Sequence, residues 1–340
     1  MSTIKNQMWD ELSTLIDKSQ IIVLSTHINS DGDGLGSEIA FYYYLKNLKK
    51  ECRIINATPL PENYKIIDPD GAVETYSDRM NDWLLGVDLS IVFDIGDYKR
   101  VGEMGNYIYN RYPSVSIDHH PEKNDTPFEL SIVDQDAPAT GYLIWKYFQY
   151  QKISTNNLQI NIANALYASI VTDTGSFKYQ STTSDTHFMA ADLIDSGVEG
   201  YIIQRYIYEE RKYSSIKLLG KIISRLKFAE NSKVAWVVVT QEMVSSVNAT
   251  IEDVEGVTEF IRGIENIEIS FMILESSATS CRINFRSSGN YSVNDIAALF
   301  DGGGHKFAAG AKINNNNFIE IENKILNKIQ KKMKEICNGD

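Results

Sequence analysis

Three potential metal ligands fall within seven residues in the segment HINSDGDGLG: His27, Asp31 and Asp33. One imidazole and two carboxylates can converge on a cation when glycines let the backbone between them bend sharply. A polar turn whose Asp side chains cap the following helix has the same composition, so this segment alone does not decide between the two. Asp94 follows an apolar run in SIVFDIGD, and SIDHHP sets Asp118, His119 and His120 in one short turn at the end of another. The chain holds 5 histidines, and three of them lie in these Asp-rich turns, company that a structural histidine does not need. Asp173, in IVTDTGSF, ends a long apolar helical pattern. Its carboxylate would be costly to bury alone and a cation would relieve that cost, whereas an exposed Asp in a helix C-terminal turn needs no such explanation.

Together His27, Asp31, Asp33, Asp94, His119 and Asp173 supply four carboxylates and two imidazoles. That is the donor set for two divalent ions sharing a bridging carboxylate. Mixed imidazole and carboxylate ligation without thiolate favours Mn²⁺ over Ca²⁺, with Mg²⁺, Co²⁺ or Zn²⁺ as alternatives. Two ions about 3.5 to 4 Å apart can acidify a bridging water and stabilise both the attacking and the leaving oxygen at phosphorus. Near the C-terminus, DGGGHKFAAG adds Gly302, Gly303, Gly304, His305 and Lys306, preceded by Arg286 in NFRSSG. Consecutive glycines expose N–H groups that can cradle an anion, with Arg286, His305 and Lys306 able to contact phosphate oxygens, although a flexible loop has the same composition.

The elements that must position these groups follow from periodicity. Apolar runs at 21–26, 52–56, 90–95, 114–117 and 131–133 read as buried strands. Helical patterns at 37–48, 140–149, 158–172 and 185–195 alternate with them broadly enough to predict a parallel α/β sheet. In such a sheet the loops at the carboxyl ends of the strands form the ligand-binding edge, which is where the Asp and His turns fall. Residues 201–228 carry Ile, Tyr and Leu at helical spacing and read as a helical linker. Strands at 234–240, 267–276 and 280–287, with a last helix at 319–336, make a smaller α+β domain. The expected boundaries are 1–195 for the metal-binding domain, 196–229 for the linker and 230–340 for the second domain.

Composition narrows the function. A chain of 340 residues with 43% hydrophobic content can bury a sizeable core. No uninterrupted apolar stretch reaches the 18 residues of a membrane span, and residues 1–19 interleave Lys5, Asp10, Glu11 and Asp17, so neither secretion nor membrane insertion is expected. Cys52, Cys281 and Cys337 are too far apart for a zinc or redox pair and read as free thiols in the cytoplasm. A net charge of −12 disfavours long duplex DNA, whose affinity comes from neutralising many phosphates.

The ordered motifs resemble the DHH phosphoesterase family, and within it the branch of nanoRNases (oligoribonucleases) with pAp phosphatase activity. HINSDGDG looks like the family's first motif, VFDIGD its second, SIDHHP its naming motif, TDTGSFKYQSTTSDTH its fourth, and GGGHKFAAGA the signature of its associated C-terminal domain. The resemblance implies that His27, Asp31 and Asp94 hold one metal while Asp33, Asp94, His119 and Asp173 hold the other, with Asp94 as the bridge. It implies that His120 contacts the substrate phosphate or the leaving oxygen, that a metal-bridging hydroxide attacks, and that Arg286 and His305 grip the substrate with the glycines 302–304. Short RNA, linear dinucleotides such as pApA, and pAp are the implied substrates, and a homodimer is left open. Lys178 stands where relatives of this branch often carry Arg, which removes a planar fork but no metal ligand. An inorganic pyrophosphatase or exopolyphosphatase, and a catalytically silent nucleotide-binding protein, are the alternatives.

Overall fold

The apolar runs of the first half become strands because neighbouring elements cover both of their faces. In chain order, α1 (Asn6–Lys18), β1 (Ile21–Ser25), α2 (Gly32–Asn47), β2 (Glu51–Asn56), β3 (Val73–Thr75), α3 (Asn81–Leu84), β4 (Leu89–Phe93), α4 (Gly105–Ile108), β5 (Ser114–Asp118) and β6 (Leu130–Val133) lead to four helices, α5 (Thr140–Tyr150), α6 (Ile160–Asp173), α7 (Ser184–Asp195) and α8 (Gly200–Tyr208). The computed structural model describes residues 6–109, 111–121, 126–210, 212–254, 256–315 and 317–337, with side chains to Lys334. It divides into two units, Met1–Glu210 and Arg211–Asp340.

The first unit is a six-stranded parallel sheet of order β3-β2-β1-β4-β5-β6. One face packs Ile22, Leu24, Ile91, Phe93, Val115 and Ile117 against α1, α2, α5 and α6. The other packs Val23, Ile55 and Val92 against Leu84, Val101, Met104 and Ile108. Every residue of β4 and β5 is buried, which is why their sequences read as continuous apolar runs rather than as alternating ones. The short β3, half-exposed at the sheet edge, carried no such signal. The strand order reverses between β1 and β4, and a reversal of this kind opens a crevice at the carboxyl ends of the two strands.

Helix α2 is buried around nearly its whole circumference, because the sheet lies on one side and α5 and α6 on the other. Close approach to α6 requires Gly36, where an added Cβ would lie 2.3 Å from the carbonyl oxygen of Ala165.

In the second unit, α9 (Tyr213–Ile223), β7 (Lys227–Ala229), β8 (Val234–Val239), α10 (Gln241–Ser245), α11 (Val257–Arg262), β9 (Ile269–Ser277), β10 (Ser280–Ser287), α12 (Asn294–Ala297), β11 (Gly303–His305), β12 (Ala308–Ile313) and α13 (Phe318–Cys337) follow in order. They build a mixed sheet of order β11-β12-β10-β9-β8-β7, in which β8 and β9 are parallel and the other pairs antiparallel. α13 covers one face through Ile321, Ile325, Ile329 and Met333. One expectation needs correction here. Residues 227–229 are a strand rather than the end of a helical linker, and Gly303 and Gly304 belong to an edge strand paired with β12. Each is the three-residue first arm of a hairpin, pairing with the strand that follows it, too short to carry an apolar run or an alternation of its own. Segment 196–229 holds α8, packed on α6 in the first unit, and α9, packed beside residues 251–254 in the second. Cys52 and Cys281 are free and buried, and the side chain of Cys337 lies outside the described residues. Among the described residues, no helix is long and apolar enough to cross a membrane.

Gly36→Ala should lower the stability of the first unit by about 1–3 kcal/mol, the usual cost of forcing a methyl group into a packed contact. A fall in the urea midpoint at unchanged slope would confirm it. An unchanged midpoint would show that α2 and α6 can separate at no cost.

Candidate functional site

All four Asp and His turns meet at the carboxyl edge of the first sheet. His27 stands two residues past β1, Asp94 one residue past β4, and His119 and His120 directly past β5, while Asp31 and Asp33 open α2 and Asp173 closes α6. Asp94 has φ +53°, in the left-handed region that Asp tolerates better than most residues. Its backbone N–H stays on the sheet, donating to the carbonyl of Ile117 at 3.0 Å.

The six expected ligands come together in two groups that share Asp94. In one, His27 Nε2 lies 3.5 Å from Asp94 Oδ2 and 3.8 Å from Asp31 Oδ2. In the other, His119 Nε2 lies 3.6 Å from Asp94 Oδ1, 3.7 Å from Asp33 Oδ2 and 3.4 Å from Asp173 Oδ2. Within each of the sets His27, Asp31, Asp94 and Asp33, Asp94, His119, one donor atom per residue lies within 4.8 Å of all the others. Such spacings are too long for hydrogen bonds and suit atoms arranged around a common ion.

Both imidazoles are oriented for ligation. His27 Nδ1 lies 2.9 Å from the carbonyl of Ile28, and His119 Nδ1 3.1 Å from that of Ala137. A carbonyl accepts but cannot donate, so each Nδ1 carries the proton and each Nε2 faces the carboxylates. This is the outer contact that metal-bound histidines usually make. His27 Nε2 is buried and makes no hydrogen bond among the described residues. The residues therefore fit a pair of divalent ions.

Charge crowding appears in the titration of the same groups. Burial alone would lower His27, but the neighbouring carboxylates of Asp31 and Asp94 outweigh it and raise the imidazole to about 9. His119, also disfavoured by burial, is raised to about 9 by the charges of Asp173, Asp33 and Asp94. Burial pushes Asp173 up to about 6 against the opposing charge of His119, and Asp33 is driven well above the carboxylate range by burial and by Asp94. Asp94 is held well below it, because His120, His27 and His119 together overcome its own burial.

Asp31 faces two ways. Its Oδ1 caps α2 by accepting from the N–H groups of Asp33 at 3.0 Å and Gly34 at 3.3 Å, while Oδ2 faces His27. Asp33 reaches across to α5, accepting from Thr140 N at 2.7 Å, Gly141 N at 3.1 Å and Ser169 Oγ at 2.5 Å. It thereby caps a helix 107 positions away, a helix that has no side-chain cap of its own.

Sequence reasoning missed several supporting groups. Asp118 accepts from Gly96 N at 2.6 Å and from His120 N and Nδ1 at 2.9 Å each, which fixes the His120 ring. Ser169 and Thr140 lie in ordinary helical sequence and gave no signal. Glu38 is buried, accepts from Asn56 Nδ2 at 2.6 Å, and is pushed well above the carboxylate range by burial. Asn56 in turn accepts from Thr26 N at 3.1 Å, tying α2 and β2 to the residue before His27. In the second unit, Arg286 gives its Nε to Glu259 of α11, a partner the sequence did not suggest, and His305 ends β11.

Residues 21–170 match the N-terminal domain of the DHH family, and residues 237–337 match the DHHA1 domain. The chain is a DHH-family domain followed by a DHHA1 domain. The Bacillus subtilis (strain 168) bifunctional oligoribonuclease and PAP phosphatase NrnA is 29% identical over 90% of this chain and 93% of its own length. The Thermus thermophilus protein of the same name is 26% identical over 92% and 90%. An exopolyphosphatase-related protein from Bacteroides fragilis, 24% identical, superposes with a TM-score of 0.88 over 96% of this chain and 98% of its own, a likeness of fold.

Because a metal needs the Nε2 lone pair, His27 and His119 must lose their protons as ions bind. Both are raised, so both are protonated below about pH 9 in the metal-free protein. Mn²⁺ binding at pH 7 should therefore release protons, with the number falling as the pH rises through 9. Calorimetry in two buffers of different ionisation enthalpy measures the count, and release of none at pH 7 would remove both imidazoles from the ligand set.

Proposed function

We propose that this chain, a phosphoester hydrolase, cleaves short oligoribonucleotides and linear dinucleotides such as pApA to mononucleotides, and pAp to AMP, in the cytoplasm. The observation that carries this reading is the sharing of Asp94 between two ligand groups at the switch point of the sheet. The names of the two relatives similar over most of the chain support the substrate class, and the DHHA1 domain favours nucleotides over pyrophosphate.

His27, Asp31 and Asp94 would hold one ion, and Asp33, Asp94, His119 and Asp173 the other, Mn²⁺ being the best match to the donors. When bound, two such ions acidify water and offset charge at phosphorus. The protein's own part is to keep the donors in place: α2 and α5 fix Asp33, and the carbonyls of Ile28 and Ala137 fix the two rings. Burial would lower His120, but Asp118 and Asp94 hold it well above its ordinary value, so the ring is protonated at neutral pH. In that state it can orient the substrate phosphate and protonate the leaving oxygen. In the second unit, Arg286, His305 and the run Gly302, Gly303, Gly304 are the proposed contacts to substrate phosphate. Glu259, by engaging Arg286 Nε, sets the direction of that guanidinium.

The assay is product formation from pAp, pApA, a five-nucleotide RNA and pyrophosphate, each with Mn²⁺ and with chelator. AMP should appear from pAp and pApA and mononucleotides from the RNA, with all three reactions stopped by chelator. Cleavage of pyrophosphate alone would overturn the nucleotide reading. Asp94→Asn, which keeps a side chain tolerant of the left-handed backbone, should abolish turnover and reduce bound Mn²⁺, and full metal content in the variant would refute the bridge. His120→Asn should lower kcat by roughly 10²–10⁴, the range for loss of a general acid, with metal content kept.

A further inference from the structure

The donors of the first unit are anionic so that cations can sit among them, and one neighbouring side chain adds positive charge instead. Arg100 lies in the 3₁₀ segment Tyr98–Met104, six residues past Asp94. Its backbone N–H donates to the carbonyl of Asp97 at 2.8 Å, and its carbonyl accepts from Ile28 N at 2.7 Å. Ile28 is also the residue whose carbonyl orients the His27 ring. The two segments lie close: a Cβ added at Gly102, which has φ +66°, would meet Ile28 Cγ2 and Ala57 Cβ at 2.9 Å each. Arg100 is thereby fastened to the loop that carries His27.

The half-buried side chain of Arg100 turns back toward the end of β4, where Nη1 donates to the carbonyl of Ile95 at 3.2 Å. A Cβ added at Gly96 would lie 3.1 Å from the His120 ring and 3.5 Å from Arg100 Nη1, which puts guanidinium and imidazole next to one point. The same positive charge opposes protonation of His27. His27 and His120 face different oxygens of Asp94, so Arg100 lies near both rings that flank the shared carboxylate. Among the described residues it has no carboxylate partner within ion-pair distance, and Ile95 takes a single N–H. A carbonyl is satisfied by a neutral donor, and a cation beside His27 works against the binding of divalent ions. Arg suits instead an anion that the reaction brings there, because its planar fork matches two oxygens of a phosphate.

We propose that Arg100 binds the non-bridging oxygens of the scissile phosphate and stabilises the charge that builds on them, beside His120, which serves the leaving oxygen. The proposal rests on the reading of the first unit as the site of phosphoester hydrolysis. In that step a water oxygen bonds to phosphorus, the ester P–O bond breaks, and the leaving oxygen takes the proton of His120. The proton shed by the water restores His120 afterwards. Every substrate presents the same phosphoryl group at this point, so Arg100 acts on pAp and on RNA alike. A merely structural Arg100 would hold the His27 loop through Ile95, and its loss would weaken metal binding. Loss of a phosphate contact has the opposite sign: Mn²⁺ binds as before or more tightly, because a positive neighbour of His27 is gone.

The test is Arg100→Gln and Arg100→Lys in the full chain, read by kcat/KM for pAp and for a five-nucleotide RNA, by Mn²⁺ affinity, and by AMP affinity of the Mn²⁺-loaded protein. In Arg100→Gln, kcat/KM should fall for both substrates by roughly 10²–10³, the range for loss of one donor to a developing oxyanion. Arg100→Lys should keep part of the rate, since it retains the charge without the fork. AMP should bind Arg100→Gln about tenfold more weakly, as expected for one lost charge-assisted contact, with Mn²⁺ affinity unchanged or higher. Guanidinium chloride below denaturing concentrations should restore activity to Arg100→Ala and not raise that of the unaltered protein. Unchanged kcat/KM in Arg100→Gln, a loss confined to RNA, or a loss accompanied by weaker Mn²⁺ binding would overturn the role. Absence of hydrolysis by the unaltered protein would instead overturn the activity reading, while the AMP affinity of Arg100→Gln would still decide whether Arg100 holds phosphate.

Discussion

Several carboxylates and imidazoles held within a few ångströms of one another repel, desolvate and titrate each other, and the first unit is organised around tolerating that. Asp94 is the centre of the problem. Its two oxygens lie opposite His27 on one side and His119 and His120 on the other, and it occupies a left-handed backbone position at the end of a fully buried strand. An imidazole beside a carboxylate lowers the cost of each, which is why Asp94 stays ionised while Asp33 and Asp173 are pushed up. Two divalent cations would neutralise the whole group.

The surrounding hydrogen bonds make the arrangement rigid rather than merely crowded. Asp33 draws its partners from the start of α5 and from Ser169 of α6, so the ligand is fixed by three helices at once. Asp118 spends both oxygens on Gly96 and His120, leaving the ring of His120 a single orientation. Glu38, kept neutral by burial, locks α2 to Asn56 and through it to the chain just before His27. Apart from the Asp118–His120 pair, two residues apart, these contacts join residues 18 or more positions apart in sequence.

The second unit meets a different requirement. Its mixed sheet is covered by one apolar cluster under α13 and by another that includes Met272 and Leu274 on the opposite face. Alternation along β10 puts Phe285 under α13 and Arg286 on the far side, where Glu259 of α11 meets it.

The sequence by itself determined the fold class of the first unit and six candidate donors, because buried parallel strands must be uniformly apolar and their carboxyl-end turns are short enough to read directly. His27, Asp31, Asp33, Asp94, His119 and Asp173 were legible for that reason. Tertiary structure alone decided that Asp31 both caps α2 and faces His27, that Asp33 caps α5, and that Asp118, Ser169 and Glu38 hold the site in place. It also placed Gly303 and Gly304 in an edge strand and gave Arg286 a carboxylate partner. The contacts of Asp33, Ser169 and Glu38 join residues 18 to 136 positions apart, beyond the reach of periodicity and motif spacing, and the local ones depend on side-chain orientation, which those patterns do not report.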